Sequence, residues 1–189
     1  RGRYTFSVSV DNLQGGWLTG NHLIQLGHRR IAYVSGPASS SDRDRLDGYR
    51  QALVEAGIQP NPAWVIPGNG RPDGGERALG LLLSMNQRPS AVFCYNDMTA
   101  IGLVHAARRA GLSVPQDLAV VGFDDILFAS YFYPPLTTIA QPRIEMGQQA
   151  MRMMLSLVTL RQGSGENPTN MVVQGKLIVR ASTVGEQGV

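Results

Sequence analysis

Two adjacent carboxylates, Asp124 and Asp125, close an apolar run from Leu118 to Phe123. Short apolar runs bounded by turn residues read as buried strands, and ligands of open α/β sheets gather at the carboxyl ends of such strands. An acceptor-only carboxylate at Asp124 suits the hydroxyl or amino groups of a ligand; its alternative role is to cap the loop that follows. Asp125 reads as serving the loop backbone. Asn96 stands at the tip of a second run, Ala91 to Tyr95, where its amide can both donate and accept. Asp97 beside it reads as the cap of the next helix.

Arg45 falls in the first turn of a helix that follows the small polar loop Ala38 to Ser41. A guanidinium can fork onto a carboxylate or onto vicinal hydroxyls. The competing reading is a solvated arginine paired with Asp42 or Asp44. Arg43, two residues away on the helix, points elsewhere. Asn12 and Gln14 follow the first strand and are further candidate contacts. Phe128, Tyr131 and Tyr133 crowd the loop after Asp125 and could stack on a sugar or a base.

Catalysis finds little support. His22 and His105 sit inside helical patterns and His28 precedes a strand, with no ligand-spaced partners, so no metal site is expected. Gly68-Asn69-Gly70 lacks the third glycine of a dinucleotide loop and no Walker pattern exists, so no cofactor is expected either. Cys94 within an apolar strand reads as inert core, and the methionines of the last long helix read as core packing.

The chain has 189 residues, enough for one domain or two small lobes, with a net charge of +3. Its arginines are scattered rather than gathered into the basic stripe of a nucleic-acid-binding surface. No run approaches the roughly 20 apolar residues of a membrane helix. One cysteine cannot form an internal disulfide, which fits a reducing compartment.

The elements that must position these residues alternate. Strands are expected at Phe6–Val10, Ile31–Val34, Trp64–Ile66, Ala91–Tyr95 and Leu118–Phe123. Helices are expected at about Gly15–Leu26, from an N-cap at Asp42 to Ala56, at Asp73–Asn86, from Asp97 to Gly111, and at Ile144–Leu160. Ile144, Gly147, Met151, Met154 and Val158 align on one face of the last helix. A flexible loop from Gly163 to Pro168 and a closing pair of short strands, Met171–Val173 and Leu177–Val179, complete the chain. Five strand–helix alternations predict an α/β fold with parallel sheets and right-handed crossovers.

Several segments, in order and at consistent spacing, resemble the effector-binding domain of the lactose-repressor/galactose-repressor (LacI/GalR) family of bacterial transcription regulators. They are Val10-Asp11-Asn12, Gly15-Gly16, His22-Leu23-Ile24, Leu26-Gly27-His28-Arg29-Arg30-Ile31-Ala32, Ser35-Gly36-Pro37 and Arg45-Leu46-Asp47-Gly48-Tyr49. Asn96-Asp97, Val120-Val121-Gly122-Phe123-Asp124-Asp125, Pro134-Pro135-Leu136-Thr137-Thr138 and Val179-Arg180-Ala181-Ser182-Thr183 follow.

The resemblance implies a type I periplasmic-binding-protein-like fold: two parallel-sheet lobes with a cleft between them, joined by crossing hinge strands. Residues 1–36 and 141–162 would form a partial N-terminal lobe, and residues 37–140 and 163–189 the C-terminal lobe. A missing half of the first lobe, and a missing helix-turn-helix head ahead of it, would make the chain a fragment. Such a half lobe would leave a sheet edge and an apolar helix face uncovered. By resemblance Arg45 forks onto the effector, with Asp124, Asn96, Asn12, Gln14 and Phe128 around it. Gly68-Asn69-Gly70 stands where relatives often place a large side chain as a wall for the ligand ring, so the loop aromatics could supply that wall. Those aromatics could equally be dimer contacts, and Ile101 and Tyr131 are assigned to a homodimer interface.

The implied function is cytoplasmic effector sensing and dimerisation in a transcriptional regulator. A sugar-like molecule in the cleft would control operator DNA through a DNA-binding domain absent from this chain. A periplasmic solute-binding protein of the same fold is the alternative. An enzyme is not expected.

Overall fold

A computed structural model describes residues 6–159 and 170–185. Eight strands and seven helices follow in chain order among these residues: β1 (Ser7–Val10), α1 (Asn12–Gln25), β2 (Ile31–Val34), α2 (Ser40–Glu55), β3 (Val65–Ile66), α3 (Pro72–Leu83), β4 (Ala91–Cys94) and α4 (Asp97–Arg109) come first. They are followed by β5 (Ala119–Val121), α5 (Leu127–Tyr131), β6 (Thr138–Ala140), α6 (Arg143–Thr159), β7 (Asn170–Val173), β8 (Lys176–Ile178) and α7 (Ala181–Val184). The expected flexible loop at Gly163–Pro168, and the end of the last helix at Leu160, lie outside the described residues.

The larger body is a parallel sheet in the order β3-β2-β4-β5. Every residue of β2, β4 and β5 is buried, which is what continuous apolar strands covered on both faces require. Strand alternation sends Ala32, Val34, Val92, Cys94 and Val120 into one core beneath α3 and α4. Ile31, Tyr33, Phe93, Ala119 and Val121 enter the other, beneath α1 and α2.

Small residues let α1 and α2 approach closely. A Cβ on Gly16 would strike the Arg45 carbonyl, and one on Gly48 the Leu13 carbonyl. That contact brings Asn12, at the start of α1, beside Arg45.

A division at residue 36 would separate β2 and α1 from the sheet and helix they pack with. The division that follows the hydrogen bonding falls at Asp11, where β1 leaves for a smaller body made of β1, β7 and α6. The two closing strands do not pair with each other: β7 runs parallel to β1 and β8 antiparallel to β6. Gln174-Gly175 between them is therefore a passage between bodies, not a hairpin turn.

Three passages lie side by side. Asp11 N–H donates to the Val173 carbonyl at 2.8 Å. Gly175 rests against Ile139, Ala140 and Val10, where a Cβ would come within 2.8–3.3 Å of them.

The last long helix departs from its expected packing. Met153 is buried, while Ile144, Met151, Met154 and Val158 are exposed. Their common face turns away from β1 and β7, the strands α6 packs on. No described helix is long and apolar enough to cross a membrane.

Candidate functional site

The ends of β4 and β5, the start of α1 and the first turns of α2 converge on Arg45. Its Nε donates to Asn12 Oδ1 at 2.8 Å, and one terminal nitrogen donates to the Tyr95 carbonyl. The other terminal nitrogen lies 3.7 Å from Asp124 Oδ1. The guanidinium is sandwiched between aromatic rings, 3.5 Å from the Phe123 centroid and 4.6 Å from that of Tyr95. Only 6% of the Arg45 side chain is exposed. Burial pulls its pKa down and the Asp124 carboxylate opposes the shift.

Asp124 is the opening onto solvent, with 30% of its side chain exposed. Its Oδ1 accepts from Gln141 Nε2 at 2.6 Å. Burial raises the Asp124 pKa, while Arg45 and then Gln141 hold it down. Both residues of the turn adopt positive φ, 117° at Asp124 and 49° at Asp125. Non-glycine residues rarely occupy that region, and when they do the surroundings must hold them there.

The surroundings do so through the crossing passages. Asp125 Oδ1 pairs with Arg180 at 2.8 Å, its carbonyl accepts from Arg143 at 2.9 Å, and its N–H reaches Thr138 Oγ1 at 3.3 Å. Gln141 and Arg143 follow β6, and Arg180 follows β8. The turn at the sheet's carboxyl end is thus bonded to two of the three passages.

Asn12, Arg45 and Asp124 come together as expected, with Asn12 positioning the arginine. Asn12 Nδ2 is itself tied to the Val10 carbonyl at 3.1 Å. Gln14, two residues further along α1, has a buried Oε1 without a hydrogen-bond partner among the described residues. Buried acceptors are nearly always satisfied, so this oxygen is free to take a donor.

Asn96 and Asp97 exchange roles. Asn96 is the N-cap, accepting from Thr99 N at 2.9 Å and donating to the Gly70 carbonyl at 2.9 Å, so its amide is committed on both sides. Asp97 turns inward and is fully buried. Asp42 is likewise not the cap of α2. Ser39 caps that helix, and the Asp42 carboxylate accepts from Tyr33 Oη and Gly36 N at 2.7 and 2.8 Å.

Phe128 stands 69% exposed on α5, and the rings that flank Arg45 belong to Tyr95 and Phe123 instead. Tyr131 on α5 is 79% exposed, with Leu127 and Met98 also open, and Ile101 is half-buried on α4. Sequence reasoning missed Gln141, Tyr95, Phe123 and Arg180. Tyr95 and Phe123 end apolar runs as the last residue before a polar one, which was the available signal. Nothing local marked Gln141.

The arrangement offers a half-buried carboxylate beside a guanidinium and two aromatic rings. Among the described residues no group of three or more His, Cys, Asp or Glu could hold a metal ion. Cys94 is fully buried, and burial drives its thiol pKa upward, away from the thiolate.

Residues 21–183 match the family described as the periplasmic binding protein-like domain. The HTH-type transcriptional repressor PurR of Edwardsiella ictaluri (strain 93-146) is 39% identical over 183 residues, covering 96% of this chain and 53% of PurR. The chain therefore spans about half the length of the curated relatives it matches. Among solved structures, a complex of the transcriptional regulator CelR with cellobiose superposes with a TM-score of 0.87 at 35% identity, over 95% of this chain and 54% of CelR. A LacI-family regulator from Enterococcus faecium with bound ribose superposes at 0.86 and 31% identity, over 97% of this chain and 66% of that one.

Proposed function

We propose, for a chain that belongs to the LacI/GalR family of regulators and carries its periplasmic-binding-protein-like effector domain, that Asp124 and its neighbours bind a small polar metabolite and signal through the crossing passages. One observation carries the proposal. Asp124 is a half-buried carboxylate at a parallel-sheet strand end, and it is held both by Arg45 in the larger body and by Gln141 on a passage out of it.

A ligand hydroxyl or amine donating to Asp124 competes with Gln141 for the same carboxylate, so occupancy changes the tie between turn and passage. Two of the five Arg45 N–H groups go to Asn12 and Tyr95, and the Asp124 carboxylate beside the remaining terminal nitrogen disfavours an anionic ligand there. Sugars are the favoured class, as cellobiose and ribose are for the two solved relatives. The relatives' being transcriptional regulators supports a binding role.

In a full-length cytoplasmic regulator the passages would carry effector occupancy to operator DNA, and by linkage operator would alter effector affinity by the same factor. The exposed side chains Met98, Leu127 and Tyr131, with Ile101 beside them, form the homodimer face in this reading. The relatives are regulators, and no feature of the site favours periplasmic transport over sensing. Isothermal titration with a panel of neutral sugars tests the proposal. Binding that Asp124→Ala abolishes is the expected result, and binding indifferent to that substitution would overturn it.

A further inference from the structure

We infer that Asp97 is the positioning residue that clamps the Asp124–Asp125 turn and ties it to the crossing strand β6. The inference deepens the proposed function and rests on its placing the effector at Asp124.

The clamp has two jaws. Asp97 N–H donates to the Phe123 carbonyl at 2.9 Å, and Asp97 Oδ2 accepts from Ile126 N at 2.9 Å. One residue thus grips the chain immediately before and immediately after the two positive-φ aspartates. Their backbone is costly, and a rigid bracket on both sides is what keeps it in place.

The tie to the passage uses the remaining oxygen. Thr138 Oγ1 donates to Asp97 Oδ1 at 2.6 Å and also receives Asp125 N–H at 3.3 Å. A relay therefore runs from the Asp125 amide through a β6 hydroxyl to Asp97. Asp97 and Thr138 are both fully buried. Gly122 makes the approach possible, because a Cβ there would collide with Asp97 Oδ1.

Among the described residues no cation forms an ion pair with Asp97. Facing it are Asp124 and Asp125 from the turn and Cys94 from β4. From β6 it meets only the Thr138 hydroxyl. The nearest arginines are engaged elsewhere, Arg45 with Asp124 and both Arg180 and Arg143 with Asp125. Helix α3 carries Asp73 and Arg77, which pair with each other at 2.6 Å, and Glu76, which lies 3.5 Å from His105 of Asp97's own helix α4.

Burial, with Asp124 and Asp125 adding to it, raises the Asp97 pKa to about 7 against the hydrogen bonds from Thr138 and Ile126. Opening the turn wets the carboxylate and returns it to the ordinary range of about 4. Opening must therefore become more frequent as pH rises from about 5 to about 7, by up to roughly tenfold per pH unit, and level off above.

Amide hydrogen exchange at Asp125 and Ile126 tests this without a ligand, after correction for intrinsic rates, with β2 and β4 as internal controls for the fold. Above about pH 7, where Asp97 is ionised and accepts from both Thr138 and Ile126, Asp97→Asn cannot do so and is expected to raise exchange at the turn by about tenfold or more; across the whole range it is expected to erase the pH dependence. Thr138→Val, which removes the relay, is expected to raise it too, while Thr138→Ser retains wild-type protection. Unchanged protection at Asp125 and Ile126 in both Asp97→Asn and Thr138→Val overturns the clamp. If Asp97→Asn loses protection in β2 and β4 as well, Thr138→Val alone decides. Titration of cellobiose and D-ribose into wild type, Asp97→Asn and Asp124→Asn separates the two readings. Equal sugar binding by wild type and Asp124→Asn removes the effector from Asp124 but leaves the exchange result to judge the clamp.

Discussion

Replacing Arg45 by methionine keeps an unbranched stem between the Phe123 and Tyr95 rings and deletes the guanidinium. The Asn12 amide oxygen and the Tyr95 carbonyl each lose a donor, and Asp124 loses its cation at 3.7 Å. Removing one partner of a buried charge network costs about 3–5 kcal/mol, because the groups left behind stay desolvated. The methionine recovers part of the ring contact, worth about 0.3–1.5 kcal/mol per sulfur–aromatic pair. The net loss is therefore about 2–4 kcal/mol. For a chain of this length each kcal/mol moves Tm by about 2–4 °C, giving a fall of roughly 4–16 °C in a thermal melt. Arg45→Lys, which keeps the charge but cannot fork, should fall between wild type and Arg45→Met. A methionine variant melting within about 2 °C of wild type would refute the claim that this arginine is built into the fold as well as facing the ligand.

Gly48→Ala places a methyl against the Leu13 carbonyl and should destabilise by about 1–3 kcal/mol or more in urea unfolding, without altering the circular dichroism of what remains folded. Asp97 governs a pH dependence of stability. Its folded pKa of about 7 lies above the unfolded value, so the folded state keeps a proton that the unfolded state has released. Stability from this group is then greatest near pH 4 and falls as pH rises to about 7, by at most about 4 kcal/mol. His22 and His28, held below their usual pKa by burial, act in the opposite direction. The difference between wild type and Asp97→Asn across pH 5–7 isolates the aspartate, and a flat difference would contradict its raised pKa. Cys94 should resist thiol reagents until the protein is unfolded, and rapid labelling of native protein would show that β4 is not sealed.

The α/β class was legible because parallel strands buried on both faces read as unbroken apolar runs, and β2, β4 and β5 are such runs. The allotment of α1 and β2 was not, since it depends on glycine-mediated contact between α1 and α2 and on strand pairing far along the chain. Asn96 and Asp97 illustrate the limit within a site. Either residue type caps a helix well, so the helix boundary alone decides which one turns inward, and that boundary moves by a residue without changing the pattern. Asp124 could be read from residue type and its place at a strand end, and Arg45 from the resemblance of its segment to the family. Gln141 could not, because it reaches Asp124 only after the chain has crossed back beside the turn. The aromatic wall was sought in the exposed loop, whereas the rings that flank Arg45, those of Tyr95 and Phe123, lie at the strands' own ends.

The most direct test is calorimetric titration of neutral sugars, beginning with cellobiose and D-ribose, into wild type, Asp124→Ala and Gln141→Ala. The account predicts that a sugar binds wild type, that Asp124→Ala abolishes binding, and that Gln141→Ala, which frees the carboxylate of its competitor, binds at least as tightly. Undiminished affinity in Asp124→Ala would contradict it.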